Sequence, residues 1–94
     1  KAALEYYSRT LAVELAPSGI RVNVVSPGII STPGSAEFSK TTPGFSSDDW
    51  LRNIPLGRIG ATEDIAEVVA LLVSDRGKFL TGANYPVDGG MTAR

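Results

Sequence analysis

The sequence contains no cysteine, no histidine and a single methionine. Without cysteine there is no disulfide, no thiolate nucleophile and no sulfur ligand for a metal, a composition that fits a reducing compartment and an expected cytoplasmic location. Without histidine these residues cannot assemble a Ser-His-Asp or Cys-His catalytic group, and carboxylates are the only strong metal ligands left, so no metal site is expected. An excess of charge of one sign is also missing. Nine Lys and Arg stand against ten Asp and Glu, a formal net charge of -1 at pH 7. Nucleic acid and anionic lipid surfaces are recognised by clustered, unpaired cations, and neither is an expected partner. The longest apolar run, Val68 to Val73, is far shorter than the roughly 20 residues of a membrane span. Lys1-Ala2-Ala3-Leu4-Glu5 begins like a helix, without the basic segment and apolar run of a secretory signal.

A length of 94 residues, 43% of them hydrophobic, sets one small domain as the upper limit and leaves a modest core. Lys1 to Ala16 lacks Gly and Pro, and Leu4, Tyr7, Leu11 and Leu15 recur at spacings of three and four, which predicts a helix about four turns long with those residues on one face. Glu5 and Arg9 are spaced to pair on its exposed side. Pro17, Ser18 and Gly19 stop the helix. The β-branched run Ile20 to Ser26, bounded by Gly19 and Pro27-Gly28, predicts a strand.

Pro27 to Ala61 is rich in Gly, Pro, Ser and Thr and too long for a passive connection, which makes it a candidate lid or binding segment. Within it Ser47 is placed to cap a short helix carrying Trp50, Leu51 and Ile54 on its apolar side. Asp48 and Asp49 read as the charged first turn of that helix rather than a catalytic or metal pair, because helix neighbours diverge by about 100°. A second long helix is predicted from an N-cap at Thr62 to Ser74, with Ile65, Val68, Val69 and Leu72 facing inward and Gly77 ending it. Asn84 to Asp88 reads as a second strand, and Pro86, which has no amide donor, assigns it to a sheet edge. Strand, connection, helix and strand is the order of a right-handed βαβ crossover. Two strands are too few for a free-standing parallel sheet, which needs both faces covered.

Four segments taken together resemble the classical short-chain dehydrogenase/reductase family: Lys1-Ala2-Ala3-Leu4, Gly19-Ile20-Arg21-Val22-Asn23, Pro27-Gly28-Ile29-Ile30-Ser31-Thr32-Pro33 and Val87-Asp88-Gly89-Gly90. Arg58-Ile59-Gly60 and Leu80-Thr81-Gly82 add to the match, which covers essentially the whole chain. The resemblance implies an α/β fold, the C-terminal part of a Rossmann-like doubly wound parallel sheet: the active-site helix, the sixth strand, the substrate loop, a helix and the seventh, edge strand. The expectation is therefore that residues 1–94 are the C-terminal part of a single NAD(P)-binding domain whose N-terminal part is absent. The start on a residue other than Met agrees with it.

The same resemblance implies an oxidoreductase interconverting an alcohol and a carbonyl, with NAD or NADP as cofactor, acting on a small-molecule substrate as a homodimer or homotetramer. Lys1 matches the lysine of the family's Tyr-x-x-x-Lys motif. In the family that lysine holds the nicotinamide ribose and lowers the pKa of the tyrosine four residues before it. Pro27 and Gly28 follow a strand's carboxyl end, where open α/β sheets bind ligands. The backbone of the residue matching Ile30, and the backbone and hydroxyl of the one matching Thr32, hold the nicotinamide carboxamide. Gly34 departs from the pattern, since many relatives carry a bulky residue there, often Met. Tyr6, Tyr7 and Leu11 lie on a helix that in the family often packs against another subunit. Trp50, Phe38 and Phe45 are candidates both for a substrate pocket and for ordinary lid packing. Asp88-Gly89-Gly90 is expected to shape the end of the last strand. The isolated segment is expected to be inactive, and the opposing reading is a non-catalytic oligomerisation or interaction piece, or a truncated product.

Overall fold

The computed structural model describes residues 2–34 and 47–93. In chain order the elements are helix α1 (Ala2–Leu15), strand β1 (Val24–Pro27), strand β2 (Ile30–Ser31), helix α2 (Ser47–Leu51), strand β3 (Gly60–Ala61), helix α3 (Thr62–Val73) and strand β4 (Asn84–Val87). Single 3-10 turns occupy Ala16–Ser18, Asp75–Gly77 and Met91–Ala93. Two two-stranded sheets form, β1 with β4 and β2 with β3. No helix among the described residues is long and apolar enough to cross a membrane.

The chain divides into two compact units, Lys1–Ser26 with Ala66–Tyr85 and Pro27–Ile65 with Pro86–Arg94. In the first, α1 ends at Leu15, two residues before Pro17, and Gly19, at φ 76°, turns its amide back onto the Ala16 carbonyl. The face of α1 that carries Leu4, Tyr7, Leu11 and Leu15 is only partly covered. Ser8 and Ala12 are buried and Leu11 and Leu15 half-buried, whereas Leu4 and Tyr7 are exposed. Small side chains let the helix approach closely: Ala12 Cβ lies 3.5 Å from where a Cβ on Gly82 would stand. Glu5 does not pair with Arg9; its carboxylate accepts a hydrogen bond from Asn84 Nδ2 at 3.1 Å. Asn84 Oδ1 in turn accepts from the Ser26 hydroxyl at 2.7 Å.

The predicted strand Ile20–Ser26 is shorter and later than expected, because at residues 21–23 side-chain bonds interrupt the ladder, although the Val22 carbonyl accepts from Gly82 N–H at 2.8 Å. Val22 N–H donates to Thr81 Oγ1 at 3.0 Å, Asn23 Nδ2 donates to the Leu80 carbonyl at 2.9 Å, and Asn23 Oδ1 accepts from Ala83 N–H at 3.3 Å. Regular pairing begins where Val24 N–H donates to the Ala83 carbonyl at 2.9 Å and ends where Gly28 N–H donates to the Val87 carbonyl at 2.9 Å. Both partners advance by four residues between those bonds, so β1 and β4 run parallel. In α3, Leu72 is buried and Ile65 and Val68 half-buried, but Val69 is exposed. Ser74 caps the turn that follows by accepting from Arg76 N–H, and Gly77 is buried against the carbonyl of Leu71.

The second unit holds what the sequence does not announce. Gly60 and Ala61 pair in parallel with Ile30 and Ser31, inside the stretch read as one long connection. The short helix appears where Ser47 indicates it, and Ile54, just beyond it, is among the most buried residues, at 4% exposure. Phe38, Phe45 and Lys1 lie outside the described residues.

Gly28 is the tightest point of this unit. A Cβ there would stand 2.5 Å from Asp88 Cβ and 2.7 Å from its Cα, and backbone cannot swing aside as a side-chain tip can. Gly28→Ala is therefore expected to destabilise the protein by roughly 1–3 kcal/mol, the usual range for overpacking. A denaturation midpoint equal to that of the wild type would show that the two strand ends are not held together at Gly28.

Candidate functional site

The end of β1 leads through Gly28 into β2, so the segment from Pro27 to Thr32 begins at a strand's carboxyl end, where parallel α/β sheets bind ligands. Pro27 is exposed, and Gly28, Ile29, Ile30 and Thr32 are half-buried. The Ile29 carbonyl accepts from Gly60 N–H at 2.9 Å, and Ile30 stands opposite Gly60 in the parallel pair. Backbone groups alternate in direction along a strand, so residues 29 and 31 address β3 while the N–H and C=O of Ile30 point to the other edge.

Beside this segment is a cavity of about 330 Å³, lined by Ile30, Ile54, Arg58, Gly60, Asp64 and Asp88 among others. Its polar groups are two carboxylates and one guanidinium, and each has a structural task. Arg58 donates through Nη1 to Asp64 Oδ2 at 2.8 Å and through Nη2 to Oδ1 at 3.1 Å, a two-pronged, charge-assisted pair. Oδ2 also accepts from the Ala61 N–H at 2.7 Å. The hydrogen bond from Arg58, then that from the Ala61 amide, hold the Asp64 carboxyl down at about 2. Arg58 is pushed upward by the same pair. Asp88 accepts from the Thr92 hydroxyl, from Gly90 N–H at 2.9 Å and from Thr92 N–H at 3.2 Å. These bonds, the one from the Thr92 hydroxyl first, keep it below the ordinary carboxylate value.

Of the residues singled out from the sequence, the structure therefore brings Ile30 and Asp88 to one cavity, with Gly28 packed against Asp88. Trp50 is exposed and does not line that cavity. Asp49 forms an ion pair with Arg52 at 3.6 Å, in keeping with a surface first turn. The residue that sequence reasoning missed is Asp64. Its signal was present in the Arg58-Ile59-Gly60 motif followed by an acidic first helical turn, but the partnership joins residues six apart through a bend.

A family model described as Enoyl-(Acyl carrier protein) reductase matches residues 1–92. The chain belongs to the short-chain dehydrogenase/reductase family. It is 44% identical over 91 residues to the 3-oxoacyl-(acyl-carrier-protein) reductase FabG of Pseudomonas aeruginosa, covering 97% of this chain and 35% of that protein. It is 42% identical over 92 residues to 3beta-hydroxysteroid dehydrogenase 1 of Eggerthella lenta, covering 98% of this chain and 34% of the relative. Among solved structures, a short-chain type dehydrogenase/reductase from Mycobacterium ulcerans superposes with a TM-score of 0.86 at 35% identity, over 99% of this chain and 33% of that one. The chain thus spans about a third of the length of these short-chain dehydrogenases/reductases. The fold is α/β with parallel strands and corresponds to part of a Rossmann-like domain.

In this member of the family the Asp64 carboxyl has a testable acid signature. Its value falls from 3.8 to about 2 on folding, so the stabilisation that it contributes is complete above 3.8 and is lost as pH drops from there toward 2. Asp64→Asn removes this contribution to the acid limb, and its stability should fall less steeply than the wild type's across that window in pH-dependent denaturation. Parallel acid limbs would show that the Arg58 pair does not persist in solution.

Proposed function

We propose that the protein carrying these residues is an NAD(P)-dependent oxidoreductase that interconverts an alcohol and a carbonyl on a small molecule. The observation that carries the reading is the match of the short-chain dehydrogenase/reductase pattern across residues 1–92. The relatives' names support it: 3-oxoacyl reductase, 3beta-hydroxysteroid dehydrogenase and, from Bos taurus, L-xylulose reductase all denote chemistry between a hydroxyl and an oxo group. One structural neighbour is described as an NADPH-dependent reductase, and others were solved with bound NAD and bound NADP. Either nucleotide is accordingly the proposed cofactor.

The residues present suit this task. Ile30, with its backbone turned away from β3, and Thr32, half-buried two residues later, are the proposed contacts to the nicotinamide carboxamide. Pro27 and Gly28 bring the chain to that edge at the end of β1. Bound there, the nicotinamide supplies or accepts the hydride. Lys1 is the proposed catalytic lysine, binding the nicotinamide ribose and favouring the ionised phenol of a tyrosine one helical turn earlier. Exposed Tyr6 and Tyr7 on α1 fit a homodimer or homotetramer. Residues 1–94 are on this reading the C-terminal part of one nucleotide-binding domain.

Lys1→Ala in the full protein is expected to lower turnover roughly a hundredfold or more, within the range of a lost acid-base contribution, with the circular dichroism spectrum unchanged. Unaltered turnover would overturn the assignment. The 94 residues alone, without a glycine-rich pyrophosphate turn, are expected to give no saturable micromolar binding in a nucleotide fluorescence titration.

A further inference from the structure

We propose that Arg58 and Asp64 form a latch that positions Ile30 and Thr32, which makes them positioning residues for the nicotinamide nucleotide. The inference rests on the reading of Ile30 and Thr32 given above. The β2–β3 pair is weak by itself. It has only two residues on each strand, Ile30 with Gly60 and Ser31 with Ala61, and a ladder that short does not hold its own register. Something outside the ladder must fix β3.

Asp64 does so from the first turn of α3. Its Oδ2 accepts from Ala61 N–H at 2.7 Å, and both carboxylate oxygens are gripped by the Arg58 fork at 2.8 and 3.1 Å. Arg58 precedes β3 and Ala61 is its second residue, so the carboxylate ties positions on both sides of Gly60 to a single point on a twelve-residue helix. Gly60 then reaches β2 twice. Its N–H donates to the Ile29 carbonyl at 2.9 Å. Its missing Cβ leaves room for Ile30 Cδ1, which would stand 2.6 Å from such an atom. The bond to Ile29 determines which way the next residue's N–H and C=O face, so the position of Asp64 is transmitted to the Ile30 backbone through one amide and one packing contact. The Asp49–Arg52 ion pair, in contrast, is more exposed on both sides.

The test uses the full protein and titrates NADH and NADPH by fluorescence, with steady-state kinetics and exchange of the Gly60 amide measured in parallel. Asp64→Ala should raise the nucleotide Kd and KM roughly threefold to tenfold, the range of a partly exposed charged pair, accelerate Gly60 exchange and leave kcat at saturating nucleotide within about twofold. Asp64→Asn, which keeps an acceptor for Ala61 N–H, should show a smaller effect. Arg58→Lys, which keeps the charge and loses the fork, should fall between wild type and Asp64→Ala, and it decides the matter if Asp64→Ala does not fold. Glu67→Gln, exposed on the same helix, should bind as the wild type does. Unchanged Kd in Arg58→Lys and Asp64→Ala, an effect confined to kcat, or an equal loss in Glu67→Gln would each overturn the latch. A wild type that binds neither nucleotide would overturn the functional reading together with it, whereas a wild type that binds and latch variants that bind equally well would overturn the latch alone.

Discussion

Gly28 and Asp88 approach so closely that no side-chain atom fits between them on the Gly28 side, and the candidate site depends on that approach. With Gly28 N–H bonded to the Val87 carbonyl, the ends of two parallel strands are locked at one level. Asp88 then spends its carboxylate on the turn that follows, accepting from Gly90 and Thr92. That turn needs Gly89 and Gly90 at φ 64° and 94°, a region that other residues enter only at a cost. Its Gly89 carbonyl accepts from Leu56 N–H at 3.0 Å, and Ile54 packs where a Gly89 Cβ would be. Leu56 leads to Arg58, Arg58 to Asp64, Asp64 to Ala61, and β3 back to Ile29 and Ile30. The contacts close into a ring that begins and ends on the segment after Gly28, so a disturbance at any member reaches the others through a few bonds.

Burial within the chain is uneven. Ala12, Ile54 and Leu72 are the buried hydrophobic residues among those described, while Tyr6, Val13, Val73 and Phe79 are strongly exposed. The ring around Gly28 is held by backbone hydrogen bonds, by close contacts at glycine and by the Arg58–Asp64 ion pair. This accounts for the density of glycine near the site. Where there is little side-chain volume to pack, backbone must come near backbone, and glycine is the residue that permits it.

Much of the fold was legible, and the exceptions share a cause. α1 ends two residues before Pro17, α3 begins at Thr62 and β4 ends two residues before Gly89, because these signals act locally. Local signals could not reveal the β2–β3 pair, since two residues on each side carry no periodicity and the pairing joins positions thirty apart. Nor could they show that Arg21 and Asn23 would satisfy the Leu80 and Ala83 backbone in place of a strand ladder. In α1 the closest packing is chosen by Ser8 and Ala12, small residues that apolar spacing does not report, and Ala12 settles on Gly82. At the cavity, Ile30 could be marked from its motif position, whereas Asp64 emerged only from geometry.

The electrostatics separate two kinds of work in this protein. Among the described residues, the two carboxylates whose titration is clearly shifted, Asp64 and Asp88, are driven downward by hydrogen bonds to their ionised forms. A general acid or base near neutral pH needs the opposite, a carboxyl raised by burial or by a neighbouring negative charge. Asp64 and Asp88 are thus fixed anions whose lone pairs are committed to Arg58, Ala61, Gly90 and Thr92, and they are unsuited to moving a proton even though they line the cavity. Their value is geometric. Because an anion that stays charged keeps its donors in place over the whole neutral range, the backbone at Ile30 is presented in the same direction throughout that range.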